Sequence, residues 1–311
     1  MPIFQIQEQR LLSISQSNFH REKELQSLIE KNLRSVFNCR FVATEFSTGV
    51  VHAGRIDTLA LSEDHNPVII EYKKVESSEL INQSLYYLHW LRDHQGDFEV
   101  AVHKALGVNA QIDWSDIRVI CIAPNFKKYD LLAVQVMGAN IELWKYRLFE
   151  NATLHLEEVF QKSITTMQGM SDGAKNPVMV AAGKKAALAR KTGVYTFEGH
   201  LKGKSLRIRD LVLSVQEFVM NLDPAMEEVP KKHYVAYKIS QNIVCVEVRT
   251  QRLLLFLKVD PKSVTPLPKH VRDVSDIGHS GTGDLEISIA NEDELEAARP
   301  YIERAYHRVG G

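Results

Sequence analysis

Gly54-Arg55-Ile56-Asp57-Thr58-Leu59-Ala60-Leu61, then Ser62-Glu63-Asp64-His65-Asn66, then Pro67-Val68-Ile69-Ile70-Glu71-Tyr72-Lys73: this stretch decides the fold. Arg55, Asp57, Leu59 and Leu61 form one period-two set and Ile56, Thr58 and Ala60 the other. Val68, Ile69 and Ile70 are a β-branched run bounded by turn residues. The pattern predicts a β-hairpin with Asp57 in its first strand and Glu71 and Lys73 at the end of its second. Because side chains alternate across a strand, Glu71 and Lys73 share a face while Tyr72 points the other way. Pairing around the short loop lets Asp57 meet that face.

Working outward, Leu25, Leu28, Ile29, Leu33 and Val36 recur at helical spacing and predict an amphipathic helix from about His20 to Phe37, with Asn18 as its cap. On that wheel Glu22 falls near the edge of the apolar stripe, Glu24 farther round, and Glu30 points away. Phe41 to Phe46 reads as a strand and Ser47-Thr48-Gly49 as a turn. After the hairpin, Ser77 or Ser78 caps a helix to about Asp93, with Gln83 and Tyr87 four apart on one face. A second helix covers about 98–106. Ile117 to Ala123 reads as a buried strand, Tyr129 to Met137 as a helix and Ile141 to Leu148 as a further strand. Helices alternating with strands give an α/β domain, a mixed sheet flanked by helices, over residues 1–160.

Residues 161–205 read as a linker with helical pieces. Its basic cluster Lys184, Lys185, Arg190 and Lys191 is read as a solvated helix face, with phosphate contact as the alternative. A smaller α+β domain follows over 206–311. A helix spans about 206–222, strands cover 234–239, 243–248, 253–259 and 285–289, and a closing helix spans 292–308. The Gly-rich segment 278–283 reads as a flexible loop. Its alternative is an anion site through backbone N–H groups, with His279 and Asp276 or Asp284 beside it.

The chain's 311 residues suffice for two cores, at 44% hydrophobic and 25% charged. A net charge of -1 gives no global basic field, so any nucleic-acid contact needs a local patch. Three widely separated cysteines, Cys39, Cys121 and Cys245, form neither a metal spacing nor a disulfide framework; reduced thiols and the lack of an apolar signal core predict a cytoplasmic location. No stretch approaches the roughly 20 apolar residues of a membrane span.

Two carboxylates on adjacent strands suit a hard divalent cation, Mg²⁺ or Mn²⁺, which takes oxygen ligands and substrate phosphate. A lysine two residues beyond Glu71 would orient water or steady developing negative charge, so phosphodiester hydrolysis fits these parts best. The bland reading is that Asp, Glu and Lys at strand ends are surface residues. Gly54-Arg55-Ile56-Asp57 followed by Val68-Ile69-Ile70-Glu71-Tyr72-Lys73 resembles the core of the PD-(D/E)XK (restriction-like) nuclease superfamily, in its mismatch-endonuclease-like branch, with isoleucine in place of the proline of the name. The resemblance covers roughly residues 15–150. It implies a restriction-endonuclease-like fold, Asp57 and Glu71 as metal ligands, Lys73 as catalytic lysine and Glu22 as an auxiliary ligand or orienting group, with Glu24 and Glu45 as competitors. Gln83 and Tyr87 match a Gln-x-x-x-Tyr element, which makes Gln83 a DNA-contacting or site-ordering residue; Tyr87, Arg55 and Lys74 would contact DNA. The implied activity is a Mg²⁺-dependent endodeoxyribonuclease serving repair or defence against foreign DNA, often working as a dimer. From Lys232-His233-Tyr234-Val235-Ala236-Tyr237 through 273–284 the C-terminal region resembles an uncharacterised domain attached to such cores, in chains sometimes labelled predicted transport proteins; with no membrane segment, that label is discounted. A different class of function, a nucleic-acid-binding or regulatory protein that keeps the fold without cleavage, is the alternative; intact Asp57, Glu71 and Lys73 weigh against it. A third reading makes the C-terminal domain a small-ligand gate.

Overall fold

The apolar runs 68–70 and 119–122 are buried on both faces, which places them at the centre of a sheet rather than its edge. The computed structural model describes residues 2–52, 54–77, 79–137, 140–159 and 195–309. Contacts divide the chain into two units, Met1–Thr192 and Gly193–Gly311. The basic cluster Lys184, Lys185, Arg190 and Lys191 lies outside the described residues.

The first unit opens with a separate hairpin, β1 (Ile3–Gln7) and β2 (Arg10–Ile14), and then β3 (Gln16–Ser17). Helices α1 (Glu22–Lys31) and α2 (Leu33–Phe37) follow, then β4 (Arg40–Ser47), the short α3 (Gly49–His52), β5 (Arg55–Leu61) and β6 (Pro67–Tyr72). After these come α4 (Glu79–Asp93), α5 (Gln95–Leu106), β7 (Arg118–Ala123), α6 (Lys128–Met137), β8 (Ile141–Phe149) and β9 (Leu154–Glu158). The sheet order is β3-β8-β7-β6-β5-β4, with β9 on β8. β4, β5 and β6 are antiparallel, whereas β6, β7 and β8 are parallel, so the sheet is mixed and helical crossovers join its parallel strands.

Helices cover both faces. Leu25, Ile29, Leu33 and Phe37 pack on Ala60, Val68, Ile70 and Tyr72. On the other side Leu80, Leu88, Leu91, Phe98 and Val102 pack on Leu59, Ile69, Val119 and Cys121. The expected helix of about 20–37 is divided at Asn32, whose Nδ2 donates to Leu28 O at 2.8 Å, a side-chain bond that competes with the helix. The cap is Arg21, without a side-chain hydrogen bond, rather than Asn18. Leu28 is 40% exposed, so the inward face is Glu22, Leu25, Gln26, Ile29, Glu30 and Leu33. Giving Leu28 a place in the stripe turned the expected wheel away from Glu30, which in fact hydrogen-bonds to Thr58 in the sheet.

The second unit contains α7 (Phe197–Leu201), α8 (Leu206–Met220), β10 (Glu227–Pro230), β11 (Val235–Lys238), β12 (Asn242–Val248), β13 (Leu253–Leu257), β14 (Val271–Asp273), β15 (Leu285–Ile289) and α9 (Glu292–Val309). α7 falls within the stretch expected as linker. The strands form an antiparallel sheet ordered β10-β11-β12-β13-β15-β14. Its period-two apolar set, including Val244, Val246, Leu255 and Ile287, meets Leu211, Val215, Ile302 and Ala305 of α8 and α9. Among the described residues no helix is long and apolar enough to cross a membrane.

The Gly-rich segment is packed rather than open. His279 stacks on Phe256 with ring centroids 4.7 Å apart, and Thr282 Oγ1 lies 3.3 Å from Cys245 Sγ. Gly283 has φ +131, and a Cβ there would stand 2.5 Å from the Leu257 backbone. That φ is strained for any L side chain, so glycine is required by contact with β13. Gly283→Ala is expected to destabilise the second unit by about 1–3 kcal/mol or more, as overpacking does. Gly278→Ala, where a Cβ meets nothing within 4 Å, should stay within about 0.5 kcal/mol of wild type. Urea midpoints followed by fluorescence compare the two; equal midpoints would contradict the packed-loop account.

Candidate active site

The β5–β6 ladder runs from Leu61↔Pro67 to Thr58↔Ile70 and stops there, although β6 continues along β7 through Glu71↔Cys121 and Tyr72↔Ile122. β5 and β6 therefore fork, and side chains take over where the backbone pairing ends. Asp57 N–H donates to Glu71 Oε1 at 3.0 Å, and Tyr72 N–H donates to Asp57 Oδ2 at 3.1 Å. Each carboxylate replaces a ladder acceptor for the opposite strand. These bonds hold both acids at the fork without a cationic partner between them.

Burial sets an electrostatic cost on both charges. Glu71 is fully buried, and its Oε2 has no hydrogen-bond partner among the described residues. Burial pushes the Glu71 carboxyl well above its usual range, and the neighbouring Asp57 charge pushes the same way. Asp57 is also raised, chiefly by burial, with the Tyr72 N–H bond and the Lys73 charge opposing. A buried, underbonded carboxylate favours either a proton or a cation.

Lys73 N–H continues the parallel ladder by donating to Ile122 O at 2.9 Å, so the lysine is fixed one step past Tyr72. Its Nζ lies 3.5 Å from Glu22 Oε1. Glu22 Oε2 accepts from Lys74 N–H at 2.8 Å, which ties the start of α1 to the end of β6. Lys74 Nζ donates to His20 O. Of the three expected auxiliary acids, Glu22 alone touches Lys73. Glu24 accepts from His20 N–H and Arg21 at the helix start, and Glu45 is ion-paired with Lys23 and Arg55. Glu22 thus orients Lys73 and ties α1 to the end of β6.

Gln83 and Tyr87 are brought together, Tyr87 beneath the surface and Gln83 half-buried. Tyr87 is 4% exposed, and its hydroxyl accepts from Gln83 Nε2 and from Arg55 N–H, both at 3.1 Å. A Cβ on Gly54 would stand 2.8 Å from the Tyr87 ring, so the glycine lets α4 reach the first residue of β5. These two residues position the strand that carries Asp57. Arg55, expected to contact DNA, keeps its charge paired to Glu45.

Sequence reasoning missed the polar layer on the other side of the hairpin. Gln26, 3% exposed, donates to Asp57 O at 2.7 Å and to Glu30 Oε1 at 3.0 Å, and Thr58 Oγ1 donates to Glu30 at 2.7 Å. The available signal was the i, i+4, i+8 spacing of Glu22, Gln26 and Glu30, one polar edge of one helix.

Residues 197–308 match a family model described as a domain of unknown function, DUF5655. An uncharacterized protein of Haemophilus influenzae is 29% identical over 311 residues, covering 98% of this chain and 99% of that one. Among solved structures, the EndoMS-dsDNA2 complex is similar at 19% identity over 42% of this chain and 47% of that one, with a TM-score of 0.31. A repair endonuclease from Pyrococcus abyssi is similar at 20% identity over 42% and 49%, with a TM-score of 0.23. This chain thus spans about half the length of the structures it resembles.

That geometry makes the fork a liability in the cation-free protein. A carboxyl whose folded pKa is raised contributes its full stability only below the unfolded value, and that contribution is lost as pH rises through the folded pKa. Glu71→Gln keeps the Oε1 acceptor and removes the charge. Its melting temperature should match wild type near pH 4 and exceed it at pH 8, each kcal/mol recovered being worth about 2–4 °C in a unit of this size. Scanning calorimetry in EDTA checks this; a variant less stable than wild type at pH 8 would contradict it.

Proposed function

We propose that this chain is a metal-dependent endonuclease that hydrolyses DNA phosphodiester bonds at the β5–β6 fork. The observation that carries the reading is the buried Asp57–Glu71 pair with Glu71 Oε2 left without a partner. An unpaired acidic pair of this kind destabilises a fold unless function retains it. The donor set fits Mg²⁺ or Mn²⁺: hard oxygen atoms, one or two carboxylates, and an open side for water and substrate phosphate. Asp57 and Glu71 would hold the ion, with the carbonyl after Glu71 as a further oxygen. A bound ion supplies Lewis-acid polarisation of the phosphate and a more acidic water.

The remaining work belongs to the chain. The Lys73 charge lowers the pKa of both carboxyls, so its ammonium lies within electrostatic reach of the fork. There it would orient the attacking water or balance charge on the pentacovalent phosphorane. Glu22 holds that ammonium at one end and the Lys74 backbone at the other, which limits the swing of a long flexible side chain. Gln26 and Tyr87 fix β5 from its two sides.

Plasmid cleavage in Mg²⁺ or Mn²⁺ tests the reading, beside single-stranded and mismatched duplex substrates. Asp57→Ala, Glu71→Gln and Lys73→Ala should each lower the cleavage rate by at least about 100-fold, and Glu22→Gln by a smaller factor. Cleavage by wild type that all three variants retain, or none by wild type in either metal, would overturn it. In the latter case a nucleic-acid-binding role without cleavage becomes the better account.

A further inference from the structure

In the second unit the walls of a cleft of about 610 Å³ include Arg207, Arg252, Lys269, His270 and Glu294. They come from well-separated segments: Arg207 from the first turn of α8, Arg252 from the β12–β13 turn, Lys269 and His270 from just before β14, and Glu294 from the first turn of α9. Three cations thus face one carboxylate.

The carboxylate is already committed, because Glu294 Oε2 accepts from Ala290 N–H at 2.6 Å. Arg207 is held in place: its Nη1 donates to Ala290 O and its Nη2 to Gln251 O, both at 3.2 Å. A guanidinium has five N–H donors, so about three remain after these two bonds. A fork ordered before binding loses less side-chain entropy when it takes an anion. The side chains of Arg252 and Lys269 have no hydrogen-bond or ion-pair partner among the described residues. α8 brings its N-terminal turn to this cleft, with no acidic residue in it, so its helix dipole adds positive potential, whereas Glu292, Asp293 and Glu294 in the first turn of α9 offset that helix's.

The shape selects the ligand class. A volume of about 610 Å³ lies within the range of roughly 300–1,000 Å³ of small-molecule sites. A nucleic-acid strand is instead tracked by a long basic groove with stacking aromatics, and no aromatic residue other than His270 lines this cleft. We propose that the cleft binds a small phosphorylated ligand, a nucleotide-sized molecule carrying two or more phosphoryl charges, with Arg207 as the fixed fork and Arg252 and Lys269 closing on it. This site is independent of the nuclease reading of the first unit.

The full chain is titrated calorimetrically in EDTA, which removes divalent cations from the fork, with inorganic pyrophosphate, with ATP, and with a 20-base-pair duplex. Chloride at matched ionic strength is the control. Wild type should bind pyrophosphate or ATP. Arg252→Ala with Lys269→Ala should weaken that binding at least tenfold while leaving the ligand-free melting temperature unchanged. Lys269→Arg should retain it. No heat with either small anion, equal binding by the double variant, or binding confined to the duplex would each overturn the proposal.

Discussion

The first unit depends on an exchange at one point of its sheet: the Asp57 and Glu71 carboxylates accept backbone N–H bonds from each other's strands where the β5–β6 ladder ends. Without those bonds, the forked strands would leave buried donors unsatisfied, at about 1–3 kcal/mol for each group. With them, two acids are held close together in a site that burial makes hostile to charge. One arrangement therefore completes the hairpin and creates the demand for a cation.

The surrounding structure serves this point from three directions. β7 extends β6 past the fork, so that Glu71 and Lys73 stand on paired backbone. α1 contributes Gln26 to the Asp57 carbonyl and Glu22 to Lys73. α4 contributes the Tyr87 hydroxyl to the first amide of β5, through a gap that only Gly54 leaves open. A fork fixed by three elements loses little further freedom on taking up ion and substrate, which is the condition for preorganised catalysis.

Much of this was legible in the sequence because period-two alternation and the β-branched run mark the hairpin and its end without outside information. The Asp57–Glu71 opposition follows from register alone. What was not legible depended on tertiary contact. The inward turn of Glu30 was hidden because Leu28 is an exposed apolar residue, and hydrophobic periodicity gives it the same weight as a buried one. Tyr87 looked like a ligand contact because burial cannot be read from a tyrosine's spacing. The Gly-rich segment of the second unit looked flexible, since nothing local reveals that Gly283 rests on the Leu257 backbone. The charged cleft of the same unit joins residues as far apart as Arg207 and Glu294, a convergence that no motif spacing records.

The central claim, that the buried acidic pair is a cation site, is tested most directly by titrating the protein with Mn²⁺ and counting free ion by electron paramagnetic resonance. The account predicts that wild type binds at least one ion and that Glu71→Gln weakens that binding at least tenfold, while Gly278→Ala leaves it unchanged. Equal Mn²⁺ binding by wild type and Glu71→Gln would contradict it.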